Sequence, residues 1–157
     1  LYASLGLKDK VLIKITSDHS SLAEGYINID GDTIIPLGKY KHCYTDTISD
    51  FAIVMTKENK LIGIDIKERE LFEVVSLNNT PDLPSEGLFR IKRKGKVGFA
   101  NDEGVIVINP KFKYAEPFKD GKAKVCNNCS IKNNGEYNGL KMQNAFYINK
   151  KGDRIKD

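Results

Sequence analysis

The sequence predicts an all-β protein, an antiparallel meander of repeated β-hairpins (a β-repeat array) with little or no helix. Three observations predict it. The pattern Asn-x-x-Gly returns as Asn28–Gly31, Asn101–Gly104 and Asn149–Gly152, each time between apolar segments. The apolar runs are strand-sized, the longest unbroken one of the best copy being Val105–Ile108. No stretch carries a 3.6-residue apolar stripe of helical length.

Taken in order, Val11–Ile15 is a strand leading into the first hairpin, Gly25–Pro36. In that hairpin Asn28 stands first in the turn, where its side chain can accept from the backbone two residues on. Gly31 stands fourth, where positive φ forms the bulge that fits such a turn to twisted strands. Pro36, and Pro110 in the later copy, are expected to stop each second strand, because proline cannot donate to a ladder. Phe51–Lys57 turns through Glu58 and Asn59 into Lys60–Ile66, and Ile62–Val74 reads as a weaker copy that keeps Gly63 but loses the turn glycine. Gly87–Arg93, with Leu88 apart from the Phe89 and Ile91 face, turns through Lys94-Gly95 into the best copy, Val97–Phe112. Lys122–Val125 precedes the last hairpin, Phe146–Ile155. The 157 residues are read as one domain of four units, 11–48, 49–85, 86–125 and 126–157, the last with an Asn/Gly-rich insertion at 130–144. A spacing of this order is typical of stacked supersecondary units.

Composition bounds the function classes. The chain is 40% hydrophobic and 29% charged, a globular mixture, and no window supplies the apolar length of a membrane-spanning helix. It opens on Leu1 rather than methionine, as a trimmed or mature form does, and no signal segment is visible. The net charge of +4 is spread along the chain. Its densest cluster, Arg90, Lys92, Arg93, Lys94 and Lys96, straddles a hairpin turn and is expected to be solvated, so no nucleic-acid partner is inferred.

The segment Glu86–Val125 resembles the bacterial WG repeat family. The matching slots are Lys96-Val97-Gly98-Phe99, Asn101 to Gly104, Ile108, Pro110, Phe112, Tyr114, Ala115, Phe118, Gly121, Ala123 and Val125. The likeness is looser over Gly25–Val54. The chain has no tryptophan; Glu24, Ile62, Val97 and Ala145 stand where the family carries it, and Glu24 cannot fill a core there. The resemblance implies a β-rich repeat architecture, often of cell-envelope-associated or secreted proteins, with no established catalytic site.

Few residues suggest chemistry. Cys126 and Cys129 form a CxxC pair, open to three readings: plain thiols or a small structural disulfide, half of a metal site, or a redox pair. Further metal ligands by type are His42, Cys43 and the distant His19, although adjacent His42 and Cys43 would face opposite ways on a strand. With three cysteines, one is left over if the protein is secreted. His19 lies in a polar loop beside Ser20 and Ser21 and forms no triad. Asp30, Asp46, Asp50, Glu116 and Asp120 sit mainly in turns. Tyr40, Tyr44 and Tyr137 lie in connections and are candidates for a ligand-binding face. The expectation is a non-catalytic binding or scaffolding module for a protein or glycan, without cofactor. The alternatives are a metal- or redox-active protein using Cys126 and Cys129, and a hydrolase with carboxylates gathered from turns.

Overall fold

A computed structural model describes residues 10–18, 22–134, 137–142 and 144–156. Among them there is no helix, and every strand pairing is antiparallel. The chain divides into two compact units, Leu1–Pro81 and Asp82–Asp157. The first holds β1 (Leu12–Thr16), β2 (Glu24–Ile27), β3 (Thr33–Ile35), β4 (His42–Cys43), β5 (Thr47–Ile48), β6 (Phe51–Met55), β7 (Leu61–Asp65), β8 (Glu70–Val74), β9 (Ser76–Leu77) and β10 (Thr80–Pro81). The second holds β11 (Leu88–Arg93), β12 (Lys96–Asn101), β13 (Ile106–Phe112), β14 (Tyr114–Ala115), β15 (Lys122–Cys126), β16 (Ser130–Asn134), β17 (Tyr137–Lys141), β18 (Phe146–Asn149) and β19 (Arg154–Ile155). In the first unit the strands lie in the orders β3-β2-β1-β5 and β8-β7-β6-β4, with β9 and β10 paired apart. In the second they lie as β13-β12-β11 and β14-β15-β18-β19. The 130–144 insertion contains a hairpin, β16 with β17, between the paired strands β15 and β18.

The repeating element is a three-stranded meander: β1-β2-β3, β6-β7-β8, β11-β12-β13 and β15-β18-β19. One side-chain oxygen builds the second turn of each. Asn28 Oδ1 accepts the backbone N–H groups of Asp30 and Asp32 at 3.0 and 2.9 Å. Asn101 does the same for Glu103 and Val105, and Asn149 for Lys151 and Asp153. Asp65 does it for Lys67 and Arg69, both at 2.9 Å. A carboxylate serves as well as an amide because only an acceptor is needed. The residue three further on takes positive φ: Gly31 at 90°, Gly104 at 76°, Gly152 at 85°, and in the weak copy Glu68 at 59°. The repeat is thus present four times among the described residues, and the second copy keeps its turn without the glycine.

These hydrogen bonds set the frame and correct the reading of the second copy. Counting back from Asp65, the slot of Gly25 and Gly98 belongs to Ile62, and Gly63 falls where Tyr26, Phe99 and Tyr147 stand. Each of those aromatics pairs across the ladder with an isoleucine, Ile35, Ile108 or Ile155. In the second copy the partners are exchanged: Gly63 lies opposite Phe72. By the same count the residue in the tryptophan slot is Leu61, which is buried, rather than Ile62.

At Gly25 and Gly98 the constraint is backbone. A Cβ on Gly25 would lie 2.5 Å from the Ile35 carbonyl oxygen and 2.9 Å from Leu37 N. One on Gly98 would overlap the Ile108 carbonyl oxygen and lie 2.6 Å from Pro110 N. Pro36 follows the end of β3 as expected, but Pro110 does not stop its strand, which runs on to Phe112. The register jumps from Phe99↔Ile108 to Val97↔Phe112, so Pro110 sits in a bulge on an outer strand where no ladder N–H is required.

The first unit's core draws Leu12, Tyr26, Ile35 and Ile48 together with Ala52, Val54, Ile62 and Ile64. The second's draws Val97, Phe99, Ile108 and Phe112 together with Phe118, Ala123, Val125 and Ile148, Phe99 and Phe118 meeting edge-on at 4.8 Å. One charged residue departs from expectation. Arg90, expected to be solvated, is buried, since its strand is covered on both faces from Leu88 to Ile91. Asp82 receives its Nε, Nη2 and backbone N–H at 2.9, 2.7 and 2.8 Å, and Ala115 O accepts from Nη1 at 3.1 Å. Glu24, in the tryptophan slot, is employed rather than misfit: its Oε2 accepts the Cys43 N–H at 2.7 Å.

Candidate functional site

The residues proposed from sequence fall into two places. In the first unit, the short strand β4 alternates as expected, with His42 exposed and Cys43 buried. Burial pushes the Cys43 thiol up to about 11, with Glu24 adding to the effect. His42 Nδ1 lies 3.6 Å from Glu24 Oε2, which already serves the Cys43 N–H. Beneath it, Lys14 meets Asp46 at 2.5 Å and donates to Cys43 O at 3.2 Å. The Tyr26 hydroxyl donates to Thr45 O at 2.6 Å, and burial holds its pKa well above the usual phenol range. Cys43 is therefore a walled-in, protonated thiol.

Tyr40 is half-buried against the core, and its hydroxyl donates to Glu68 Oε1 at 3.1 Å. Burial, followed by the Glu68 charge, raises it to about 12. Tyr44 is more open, and its hydroxyl donates to Asn79 O at 3.0 Å. With His42, Lys41 and Met55 it lines a shallow hollow of ≈ 350 Å³. The side chain of Tyr137, on β17, lies outside the described part of the structure, as do His19, Ser20 and Ser21.

In the second unit Cys126 and Cys129 are joined to each other as a disulfide, their Cα atoms 5.9 Å apart. The leftover cysteine is the buried Cys43. Among the described residues no group of three or more His, Cys, Asp or Glu is placed to hold a metal ion. Of the acids, Glu116 and Asp120 come together at the rim of a hollow of ≈ 200 Å³, where Lys119, Lys122 and Lys124 accompany them. Asp46 is bound to Lys14 and Asp50 accepts from the Ser49 hydroxyl.

The disulfide's two sulfurs belong to buried residues, whereas the intervening Asn127 and Asn128 are exposed. A four-residue ring anchored in the core thus holds two amides outward. They line two adjoining hollows of ≈ 530 and ≈ 660 Å³ that share Asn127, Asn128, Phe146 and Arg154. Phe146 occupies the glycine slot of the fourth repeat, its ring edge-on to Phe112 at 6.2 Å. The Arg154 guanidinium lies 4.7 Å from the Phe146 centroid, a cation–π stack that orients the fork. Lys96 and Lys111 complete the larger hollow, Lys111 over Phe112 at 5.2 Å. None of these three cations forms an ion pair among the described residues, and Asp153 is the one acid on the lining.

Sequence reasoning saw the CxxC only for its sulfur and missed Asn127, Asn128, Phe146, Arg154, Lys96 and Lys111 as a group. The signal available was a ring, Phe146, in a slot that holds Gly25, Ile62 and Gly98 in the other three repeats. A family model described as WG containing repeat matches residues 25–60 and 98–128. No curated protein and no solved structure matches the chain.

Proposed function

We propose that this WG-repeat protein is a non-catalytic binding module whose second unit presents the Asn127–Arg154 cleft to a protein or glycan partner. One observation carries the reading: three cations with no acidic partner among the described residues, two tethered amides and an aromatic ring line one hollow. Its size is within the range of ligand sites. The repeat's turn residues, Asn28, Asp65, Asn101 and Asn149, are occupied in holding backbone. The disulfide suits an oxidising compartment.

The test is a panel of immobilised oligosaccharides and peptides probed with labelled protein and with a K111A/R154A variant. Retention lost in the variant supports the reading. Ligands held equally by both proteins would remove the cleft from it.

A second reading, thiol–disulfide exchange at Cys126 and Cys129, is favoured by their being paired. Burial of both sulfurs works against it, since exchange needs in-line access of a thiolate. Turnover in an insulin-reduction assay would favour this reading over the first.

A further inference from the structure

The geometry points to an acidic oligosaccharide, one built from uronic-acid-type sugars, as the occupant of the Asn127–Arg154 cleft. This deepens the binding-module reading and rests on it. Each group lining the cleft meets a separate chemical demand. The Arg154 fork is held by the Phe146 ring at 4.7 Å and has no carboxylate partner among the described residues. A planar guanidinium in that state suits a carboxylate, which it can bind through two parallel hydrogen bonds. Lys96 and Lys111 add positive charge further along the same hollow.

Charge alone does not select a sugar; the amides do. Asn127 and Asn128 each carry donors and an acceptor, the combination that matches neighbouring hydroxyls, which both give and take hydrogen bonds. A glutamate-rich peptide would satisfy Arg154 but offers no hydroxyls to the two amides. A neutral sugar would use the amides and leave the cations without a counterpart. The disulfide anchors both ends of the Asn127-Asn128 segment, so little ordering remains to be done on binding. Two adjoining hollows fit a chain of sugars better than a single ring.

The experiment is calorimetric titration of the full chain, disulfide intact, with three probes: trigalacturonate, its methyl ester, and triglutamate. Trigalacturonate is expected to bind, and to bind at least tenfold more tightly than the ester, which keeps the hydroxyls and loses the charge. R154A is expected to weaken it roughly tenfold or more, and R154K to restore only part, lacking the fork. N127A/N128A is expected to weaken trigalacturonate while leaving triglutamate unchanged. Equal binding of acid and ester, preference for triglutamate, or no binding of trigalacturonate would overturn the proposal. If triglutamate or the ester binds instead and R154A abolishes it, the ligand class falls but the cleft stands. Binding indifferent to R154A and to N127A/N128A would remove both.

Discussion

Gly63 faces Phe72 across the β7–β8 pair, and the Phe72 ring fills the space a side chain at Gly63 would need, its Cε2 2.5 Å from an added Cβ. In the other three repeats the aromatic stands on the middle strand and an isoleucine on the third. The second repeat has moved the ring one strand over. Phe72→Ala should destabilise the fold by about 3–5 kcal/mol as a buried aromatic is removed. Gly63→Phe alone should also destabilise, through overlap with Phe72. The pair G63F/F72I restores the pattern of the other repeats and should cost clearly less than the two single changes summed. Denaturant melts of the four proteins give the coupling directly.

Asn101 and Asp65 hold equivalent turns, but only one of them titrates. Burial raises the Asp65 carboxyl, yet the backbone and side-chain hydrogen bonds from Arg69, with that of Lys67, outweigh it and leave the group below its usual value. A carboxylate depressed in the folded state contributes stability at pH above its unfolded value, about 3.9. That contribution is lost as pH falls through the folded value. Asp65→Asn should therefore flatten the acid limb of a stability–pH curve while keeping the turn. Asn101→Ala should lower stability by about 1–2 kcal/mol at every pH, through the loss of two hydrogen bonds.

Gly98→Ala should destabilise by roughly 1–3 kcal/mol, because the added Cβ meets the backbone of β13 rather than a movable side chain. The same change at Gly31, where nothing lies within 4 Å, is limited to the strain of φ 90°. Thermal melts of the two variants separate crowding from backbone strain.

These features mark how far the sequence was legible. The turns were, because Asn28, Asn101 and Asn149 act on groups two to four residues away. The frame of the second repeat was not, because the ring that replaces Tyr26 or Phe99 there comes from another strand. Arg90 was misplaced for a similar reason: its partner Asp82 lies outside the strand, and nothing local announces the pairing. The cleft joins Lys96, Asn127 and Arg154, residues far apart in the chain, which the ladder β15-β18-β19 and the disulfide help bring together.

Arg90→Ala should cost about 3–5 kcal/mol, since it strands a buried Asp82 carboxylate. Replacing both residues with apolar ones of similar size should cost much less. Chemical denaturation of the single and double variants tests this.

Thiol titration should find no reactive cysteine in the native protein, one after denaturation without reductant, and three after denaturation with it. A native reactive thiol would mean that Cys43 is not enclosed as described.

The most direct measurement of the binding role is an NMR titration of isotopically labelled full chain with trigalacturonate. The expected result is amide shift changes concentrated at Lys96, Lys111, Asn127, Asn128, Phe146 and Arg154, diminishing as salt is raised because the contact is partly ionic. Changes centred instead on His42 and Tyr44, or no changes at saturating ligand, would contradict it.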